Sequence, residues 1–380
     1  MAGQRSIFED VEGAQKPAAT PGGVSRDRGR GRSRVRVFIM VLFAMVVVQI
    51  AVGGLTRLTD SGLSITEWAP ITGAVPPLDA AAWDEAFEAY QSTTEFQEQN
   101  RGMSLSEFKV IYWWEWGHRQ WARLIGVVWA VGFVALLATK SVPVGWTGRL
   151  LWLGALGGLQ GLAGWWMVAS GMAPGMFDVA SYRLAVHLGL AFLILALMAW
   201  YIMLLGRAEA ELMRARRDGD RKLAGMATGL LHLTGLQILV GALVAGIDAG
   251  RNFIDWPLMA GAFTPPDMWA IEPWFRNLFE NDGTVQFFHR IIGYTLLAFG
   301  IGAWFAARRS ARAATKRAFD WVAVMMFGQI VLGIVTVMNS SPWYWAITHQ
   351  FGAVVLITLI MRARFLSRYP LPQSVRGAVR

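Results

Sequence analysis

Apolar runs recur eight times along the 380-residue chain, and each is long enough to cross a bilayer, which takes about 20 apolar residues. They lie at 37–56, 117–138, 150–170, 183–205, 223–246, 286–307, 318–338 and 345–362. Polar segments separate them. The pattern predicts eight transmembrane helices and therefore an all-α integral membrane protein.

The composition supports the same class. Hydrophobic residues make up 54% of the chain and charged residues only 16%, which is poor in charge for a soluble protein. The chain has no cysteine. Disulfides, covalent haem attachment through Cys-x-x-Cys-His, iron–sulfur clusters and thiolate zinc sites are therefore excluded.

The net charge of +9 is divided between the two sides of the predicted topology. Arg and Lys cluster before the first run, after the fourth, after the sixth and after the last, whereas Asp and Glu cluster after the first and fifth. Because basic loops favour the cytoplasmic side, both termini are predicted to be cytoplasmic. The basic excess indicates the lipid bilayer, and not nucleic acid, as the partner.

The 36 residues before the first run are basic, lack an apolar stripe and are predicted to be a largely disordered cytoplasmic tail. The predicted boundaries are 37–206 for an N-terminal four-helix half, 207–222 for a cytoplasmic linker, 223–365 for a C-terminal four-helix half and 366–380 for a cytoplasmic tail. The leader lacks the form of a cleaved signal peptide. Glu9, Asp10 and Glu12 argue against a transit peptide, so the bacterial inner membrane is favoured over the mitochondrial one.

The two halves match each other in sequence, and the match continues through a polar loop that lipid-driven hydrophobicity cannot explain. The aligned positions are Gln49–Gly53 with Gln237–Gly241, Asp60 with Asp248, Trp68 with Trp256, His118-Arg119 with His289-Arg290, and His187 with His349. An even number of spans per half predicts a parallel internal repeat. The chain is then two tandem four-helix bundles, each with a core that can hold a cofactor.

Four histidines occupy matching places in these halves. His118, His187, His289 and His349 each lie within about one or two turns of the outer start of an even-numbered predicted span. They are thus expected at similar depth, where two histidines of one half can face each other across a haem. A single histidine at such a place is more often an interfacial hydrogen-bonding residue. Four at equivalent positions favour ligation.

His232 lies deeper in the fifth predicted span, and its aligned counterpart is Ala44. Its place predicts a buried structural histidine or a group that supports a ligand.

Glu115 distinguishes the two halves. It precedes His118 by three residues, so both side chains project from one helix face, and the aligned residue before His289 is Gln286. A carboxylate beside a haem face can accept a proton or stabilise a developing cation. The alternative is an interfacial anion paired with Arg119 or Arg123. The asymmetry predicts chemistry in the N-terminal half and a permanent electron-transferring haem in the other.

Arg119 and Arg290 each follow a histidine and are candidates to pair with haem propionates, although simple interface anchoring is an equal alternative. The outer loops are rich in Trp and Pro. They are interpreted as lids over the two sites, with an aromatic belt at the membrane surface as the alternative.

The stretch from Glu107 to Arg119, Glu-Phe-Lys-Val-Ile-Tyr-Trp-Trp-Glu-Trp-Gly-His-Arg, resembles the signature of haem A synthases. The stretches from Gln49 to Gly62 and from Phe288 to Gly293 are similar to the same family, and the resemblance covers about residues 36–365. Members of this family oxidise a ring methyl of haem O to a formyl group. They deliver the product, haem A, to haem–copper cytochrome oxidases.

The resemblance implies a role for each site residue. His289 and His349 match the ligands of a resident haem b, His118 and His187 match the substrate haem site, and Glu115 matches the catalytic glutamate. It also implies haem O as substrate, with haem O synthase and cytochrome oxidase assembly factors as partners. Some bacterial relatives carry a cysteine pair in the first outer loop; this chain has none and looks closer to the proteobacterial and mitochondrial branch.

Two other classes of function stay open at this point. A dihaem b-type, quinol-linked electron-transfer protein would hold two equivalent haems and would not need Glu115. A haem transporter or chaperone would bind haem without changing it. The residues leave open the electron acceptor, the oxygen source and whether the chain forms a homo-oligomer.

Overall fold

The computed structural model describes residues 26–372, and this part of the chain is helical with no strand, which confirms the prediction of an all-α protein. The long helices of the described part are α1 (Arg26–Leu58), α4 (Leu105–Ala138), α5 (Thr147–Gly171), α6 (Ser181–Leu205), α8 (Arg221–Gly246), α10 (Asp282–Arg308), α11 (Ala313–Met338) and α12 (Trp343–Arg368). Short helices in the connections are α2 (Ala80–Gln91), α3 (Thr94–Gln99), α7 (Glu209–Arg217) and α9 (Asn277–Glu280).

Seven of the long helices in residues 26–372 are long and apolar enough to cross a membrane, so the chain is a multi-pass membrane protein. The exception is α5, which is 25 residues long but does not qualify by hydropathy. The prediction of eight spans is therefore only partly confirmed. Gly and Trp occupy many positions of α5, and these residues contribute little hydropathy even where a helix is as long as its neighbours.

The long helices pack as two rings that share a wall. In the first ring α1, α4, α5 and α6 pack side by side, and α6 returns to α1; in the second, α8, α10, α11 and α12 do the same. Helices α6 and α8 pack against each other across the rings, as do α1 and α12. One cluster of buried side chains runs through this wall, from Ile39 and Leu195 to Ile238 and Val354.

Helix α4 is longer than its apolar run predicts, because it begins at Leu105 and not at residue 117. A capping box starts it: the Glu107 carboxylate accepts from the Ser104 backbone N–H at 2.8 Å, and the Ser104 hydroxyl caps the Glu107 N–H. The extension packs in a loop aromatic cluster made of Trp83, Tyr90, Phe96, Phe108 and Tyr112. The first turns of α4 thus pack Phe108 and Tyr112 against a folded outer loop, while most of their polar side chains stay exposed.

Helix α1 also begins earlier than expected. It is helical from Arg26, so the prediction of disorder is wrong for residues 26–36, whereas residues 1–25 lie outside the described part. The Arg32 guanidinium donates to the carbonyl oxygens of Leu204 at 2.7 Å and Arg207 at 2.6 Å. These bonds join the start of α1 to the end of α6. They stabilise the helical conformation of this basic segment.

The segment that joins the two rings is bonded to the end of the chain. It was expected to be a simple linker at residues 207–222, but it contains α7 and the first turn of α8. The Arg207 guanidinium donates to the Tyr369 carbonyl at 2.6 Å, and the Asp220 N–H donates to the Ser367 carbonyl at 2.8 Å. We call this set of contacts the linker joint.

Candidate functional site

Two histidines face each other across the second ring from helices at opposite corners. The imidazole centroids of His289 on α10 and His349 on α12 are 6.4 Å apart, with ring planes at 76°. Imidazole nitrogens bind metals at about 2 Å, so two axial imidazoles on one iron have centroids about 6 Å apart. The observed spacing therefore fits one iron atom between the two imidazoles.

The first ring holds the other two histidines at corresponding corners. His118 projects from α4 and His187 from α6, and the two lie within electrostatic range of each other. All four imidazoles are half-buried, so they border space inside the helical rings. His187, His289 and His349 lie near the start of their helices as expected, but His118 lies in the fourth turn of α4 because of the extension from Leu105.

The donor set of these pairs fits haem better than a bare metal ion. Within residues 26–372 no three His, Cys, Asp or Glu side chains come close enough to hold a metal ion together. A zinc site takes three or four protein ligands, whereas haem iron takes only two, because the porphyrin supplies the other four. The Nδ1 atoms of His118 and His349 are also buried without a hydrogen-bond partner in the described residues, so each pair retains free ligating capacity.

A glutamine from the preceding long helix lies against three of the histidines. The Nε2 atom of Gln49 is 3.1 Å from the His118 imidazole and donates to the His118 carbonyl at 3.2 Å. Gln160 donates to the His187 carbonyl and Gln237 to the His289 carbonyl, both at 3.0 Å. The sequence interpretation used these glutamines only as markers of the internal match, so it missed their contact with the histidines.

Glu115 is buried beside His118, with 3% of its surface exposed, and every neighbour of its carboxylate is a donor. Its Oε2 accepts from the Ser64 hydroxyl at 2.8 Å and from the Ile65 N–H at 2.7 Å, and its Oε1 accepts from Arg119 at 2.5 Å. These bonds hold the carboxylate in one position. The alternative, an interfacial anion paired with Arg119 or Arg123, fits in its partner, because Glu115 pairs with Arg119, and this pair is buried.

Gln286 occupies the equivalent place beside His289 in the second ring, but its surroundings differ. Its Oε1 accepts from Arg290 at 2.9 Å, as Glu115 accepts from Arg119, while its Nε2 donates to the Ala249 carbonyl at 2.7 Å. The loop of the second ring thus presents a carbonyl acceptor to the Gln286 amide. The loop of the first ring presents two donors to the Glu115 carboxylate. The backbone around each position is suited to the residue that stands there.

Arg119 and Arg290 both tie an outer loop to the helix that carries a histidine. Arg119 donates to the carbonyls of Ile65 and Glu67 at 3.0 and 2.9 Å, and Arg290 donates to those of Phe253 and Leu258 at 2.9 and 3.0 Å. These bonds occupy the terminal nitrogens of both guanidinium groups. Pairing with haem propionates stays a prediction, and the observed role of each Arg is to hold its loop.

His232 is exposed on the outer surface of α8, so the prediction of a buried structural or ligand-supporting histidine is wrong. It shares that surface with Leu236 and Leu239, which lie four and seven residues further along the helix and are also exposed. Depth along a span says nothing about which side of the helix a residue occupies, and here the helical phase directs it away from Gln237.

The first outer loop folds over the Glu115 site. The Trp68 ring lies 5.9 Å from the guanidinium carbon of Arg119 and 6.5 Å from the Trp165 ring on α5. This Trp connects the loop to two helices of the first ring. The arrangement is compatible with the lid interpretation.

Glu95, in α3, is a buried carboxylate that the sequence did not single out. Only 4% of its surface is exposed, and its Oε2 has no hydrogen-bond partner in the described residues. Burial raises the pKa of Glu95 to about 8, with further contributions from the negative charges of Asp178, Glu115 and Asp60, while Arg57 opposes the shift. A carboxyl group in this setting is predominantly protonated at neutral pH.

Replacing Glu95 by Gln is expected to stabilise the protein increasingly as the pH rises from about 4 towards 8. Because its pKa is about 8 in the fold and about 4.3 in an unfolded chain, the stability associated with protonated Glu95 is present below pH 4 and is lost as the pH rises towards 8. We expect Glu95→Gln to raise the Tm at pH 8.5 by at least about 2 °C and to leave it unchanged at pH 4.5. The measurement is thermal unfolding in detergent at both pH values.

Glu98→Gln is the matched control, because Glu98 lies on the same short helix with a side chain 61% exposed. It should change the Tm equally little at both pH values. A Glu95→Gln effect of the same size at pH 4.5 and pH 8.5 would contradict the assignment of the raised pKa.

An ion-pair cluster joins the two rings above the histidines. The Arg57 guanidinium, at the end of α1, lies 2.8 Å from Asp60, 3.1 Å from Asp248 and 3.7 Å from Asp178. Asp248 belongs to the second ring and the other two carboxylates to the first. Because the Arg57 side chain is only 15% exposed, this cluster is a partly buried contact between the two rings.

These features define the class: a polytopic helical membrane protein with paired intramembrane histidines of the kind that ligate haem. The comparisons with known proteins then identify the family. Residues 36–361 match the family model COX15-CtaA, described as cytochrome oxidase assembly protein, and the chain belongs to this family.

Curated relatives match along the whole chain. A protein named "Heme A synthase" from Jannaschia sp. (strain CCS1) is 85% identical over 378 residues, which covers 100% of both chains. Proteins with the same name from Dinoroseobacter shibae and Paracoccus denitrificans are 62% and 53% identical over 99–100% of each chain. The family suggested by Glu107–Arg119 is thus confirmed.

Proposed function

We propose that this chain is a haem A synthase, a membrane oxidoreductase that oxidises a ring methyl of haem O to a formyl group for cytochrome oxidase assembly. Full-length relatives that carry this name support the reaction. The observation that carries the assignment to particular residues is the contrast between Glu115 and Gln286, each in the same place beside a histidine pair. At that position only the first ring has a carboxylate, which can take up a proton.

The architecture of the proposal is two tandem four-helix bundles related by a parallel repeat. The parallel contacts of Gln49 with His118 and of Gln237 with His289 support the repeat. Helix α5 is proposed as the eighth span, since Gly164 near its end approaches the His187 imidazole while the Leu150 carbonyl near its start accepts from Trp129. Eight spans with basic connections on one side place both termini in the cytoplasm of a bacterial inner membrane.

In the second ring, His289 and His349 are the proposed axial ligands of a resident haem b. Their 6.4 Å centroid separation supports this. When bound there, haem b supplies one-electron redox chemistry, which the amino-acid side chains of this chain do not offer. The two histidines would hold the haem between α10 and α12, and Arg290 ties the second outer loop to α10.

In the first ring, His118 and His187 are proposed to hold the iron of haem O, the substrate. Two hydroxylations of the ring methyl followed by loss of water give the formyl group, and each oxidation removes two electrons. Protons leave the substrate in the same steps, and the Glu115 carboxylate is the base proposed to accept them. Arg119, Ser64 and the Ile65 N–H hold the Glu115 carboxylate in place.

The apolar surroundings suit the substrate. Haem O carries a farnesyl-type tail that partitions into lipid, so a site between membrane helices can receive it from the bilayer. Trp68 and the first outer loop cover the aqueous side of that site. Excluding water there protects the oxidised intermediates from side reactions.

Haem extraction from membranes tests the proposal. Membranes that make haem O are prepared with and without this chain, and the extracted haems are separated by chromatography. Haem A should form only with the chain present. If both samples contain haem O alone and the purified chain retains two haems equally well, the chain would be a dihaem electron carrier and not an enzyme. Haem O alone with one readily released haem would favour a transporter or chaperone.

A further inference from the structure

The segment Gln-x-x-x-Gly occurs on the first helix of four successive pairs of long helices, and the second helix of each pair carries one of the four histidines. The segments are Gln49–Gly53 on α1, Gln160–Gly164 on α5, Gln237–Gly241 on α8 and Gln329–Gly333 on α11. The histidines that follow are His118, His187, His289 and His349. The internal match aligned the Gln49 segment with that of Gln237 and the Gln160 segment with that of Gln329; the structure adds that the glycine of all four lies against a histidine.

In each pair the glycine makes room for the imidazole. A Cβ atom on Gly53 would lie 2.5 Å from Cε1 of His118. On Gly164 and Gly241 it would lie 3.0 Å from Cε1 of His187 and His289, and on Gly333 it would lie 3.3 Å from Cε1 of His349. A side chain at Gly53 would therefore displace the imidazole, and one at the other three glycines would require the imidazole to give by a few tenths of an ångström.

Other glycines of the same helices lack this contact. A Cβ atom on Gly161 in α5, Gly235 in α8 or Gly328 in α11 would meet no heavy atom within 4 Å. Close approach to a histidine imidazole is thus specific to the glycine four residues after each glutamine, and other glycines of these helices do not share it.

In the first three segments the glutamine contacts the same histidine from the turn before. In three pairs its Nε2 donates to the carbonyl of the histidine and lies about as close to the imidazole nitrogens, as Gln237 does to His289 at 3.1–3.2 Å. The Oε1 atoms of Gln49, Gln160 and Gln237 are buried without a partner in the described residues. In the fourth pair the Gln329 amide lies against Gly352, one turn beyond His349, and its Nε2 has no partner.

We propose that each Gln-x-x-x-Gly segment is a histidine cradle, in which the glycine receives the imidazole edge and, in the first three segments, the glutamine fixes the ring's rotation. A ligating imidazole usually donates its second N–H to an acceptor, and the carboxamide beside the ring, whose Oε1 has no other partner in the described residues, can supply one. The cradle thereby sets both ring plane and ligand basicity. This inference rests on the proposed haem ligation by these histidines and names the positioning residues of that function.

The resident haem site gives the sharpest test, using the purified full-length protein. Haem loss is measured by transfer of haem b to excess apomyoglobin. Groups that support metal ligands typically change affinity about 10–100-fold, so Gly241→Ala should release haem about 10–100 times faster than the parent. Gly333→Ala, where the contact is longer, should give a smaller acceleration. Gly235→Ala and Gly328→Ala should release haem at the parent rate.

Gln237→Leu removes the amide without adding bulk at the glycine. It should shift the midpoint potential of haem b and the g values of its low-spin EPR signal, because both report the orientation and basicity of the axial imidazole. Thr234→Val, a buried polar-to-apolar change on the same helix, should leave both unchanged. These readouts also decide the matter if Gly241→Ala fails to accumulate.

The outcomes separate the cradle from the ligation on which it rests. Equal haem release by Gly241→Ala and Gly235→Ala, with unchanged potential in Gln237→Leu, would overturn the cradle while leaving haem ligation intact. A full low-spin haem b spectrum in His289→Ala would instead contradict the proposed ligation of haem by His289.

Discussion

Replacing Glu115 by Gln is expected to leave haem O, or a hydroxylated intermediate, in place of haem A. The carboxylate is the buried group beside the substrate site that can take up a proton, and such acid–base roles typically contribute about 10²–10⁴ in rate. We expect the ratio of haem A to haem O in extracted membranes to fall at least about 100-fold. Chromatography of haems from membranes with equal amounts of each variant measures this.

The control for this experiment must account for the donors around position 115. An amide there would place its NH₂ group against the Ile65 N–H or against Arg119, so Glu115→Gln disturbs hydrogen bonding as well as proton uptake. Ser64→Ala removes one of these donors and keeps the carboxylate, and it should reduce haem A far less. Haem A at the parent level in Glu115→Gln membranes would exclude Glu115 from the chemistry.

Replacing His289 or His349 by Ala is expected to abolish most of the b-type haem spectrum of the purified protein. Each substitution leaves the iron with one protein ligand, so the low-spin signal of two axial imidazoles should be lost. His118→Ala and His187→Ala should keep that signal, because they belong to the other ring. Absorption and EPR spectra, normalised to protein, make the comparison.

His232→Ala provides the matched control, since His232 is exposed on the outside of α8 and should have no effect on the spectrum. Equal losses from His118, His187, His289 and His349 would show that the two pairs share one role. The division into a resident haem site and a substrate site would then be wrong.

Much of the fold could be predicted because membrane helices must bury their backbone polar groups internally and expose apolar side chains to lipid. That constraint makes hydropathy informative for α1 or α12. Hydropathy is a poor guide for two other helices, α5 and α4. The glycines and tryptophans of α5 lower its hydropathy below that of its neighbours, and the first turns of α4 are polar because they lie outside the apolar run and pack only Phe108 and Tyr112 against a folded loop.

The histidines could be found because the internal match put each pair at equivalent places, and Glu115 because it breaks that match. Their partners could not be found in the same way. The contact of Gln49 with His118 depends on which turns of α1 and α4 are level with each other, and one sequence does not give that register. Glu95 was hidden for a different reason: it lies in a loop rich in acids, and only the tertiary fold shows that it is buried.

The loop helices were missed although their local signals are present. Asp79 caps α2 by accepting from the Ala82 N–H at 2.9 Å, and a segment rich in Ala and Glu follows it. Apolar runs alone predict only the membrane helices, so such a segment is predicted as a connection. Helix α7, between the two rings, was missed for the same reason.

The linker joint has a consequence for the order in which the protein is made. The Arg207 side chain emerges from the ribosome when the first ring is complete, yet its acceptor at Tyr369 is synthesised 162 residues later, after α12, and is followed by its second acceptor at Pro370. Arg312 likewise donates to the Asp218 carbonyl and to that of Leu371. The two rings can therefore be inserted one after the other, but these hydrogen bonds between them form only after α12 has been synthesised.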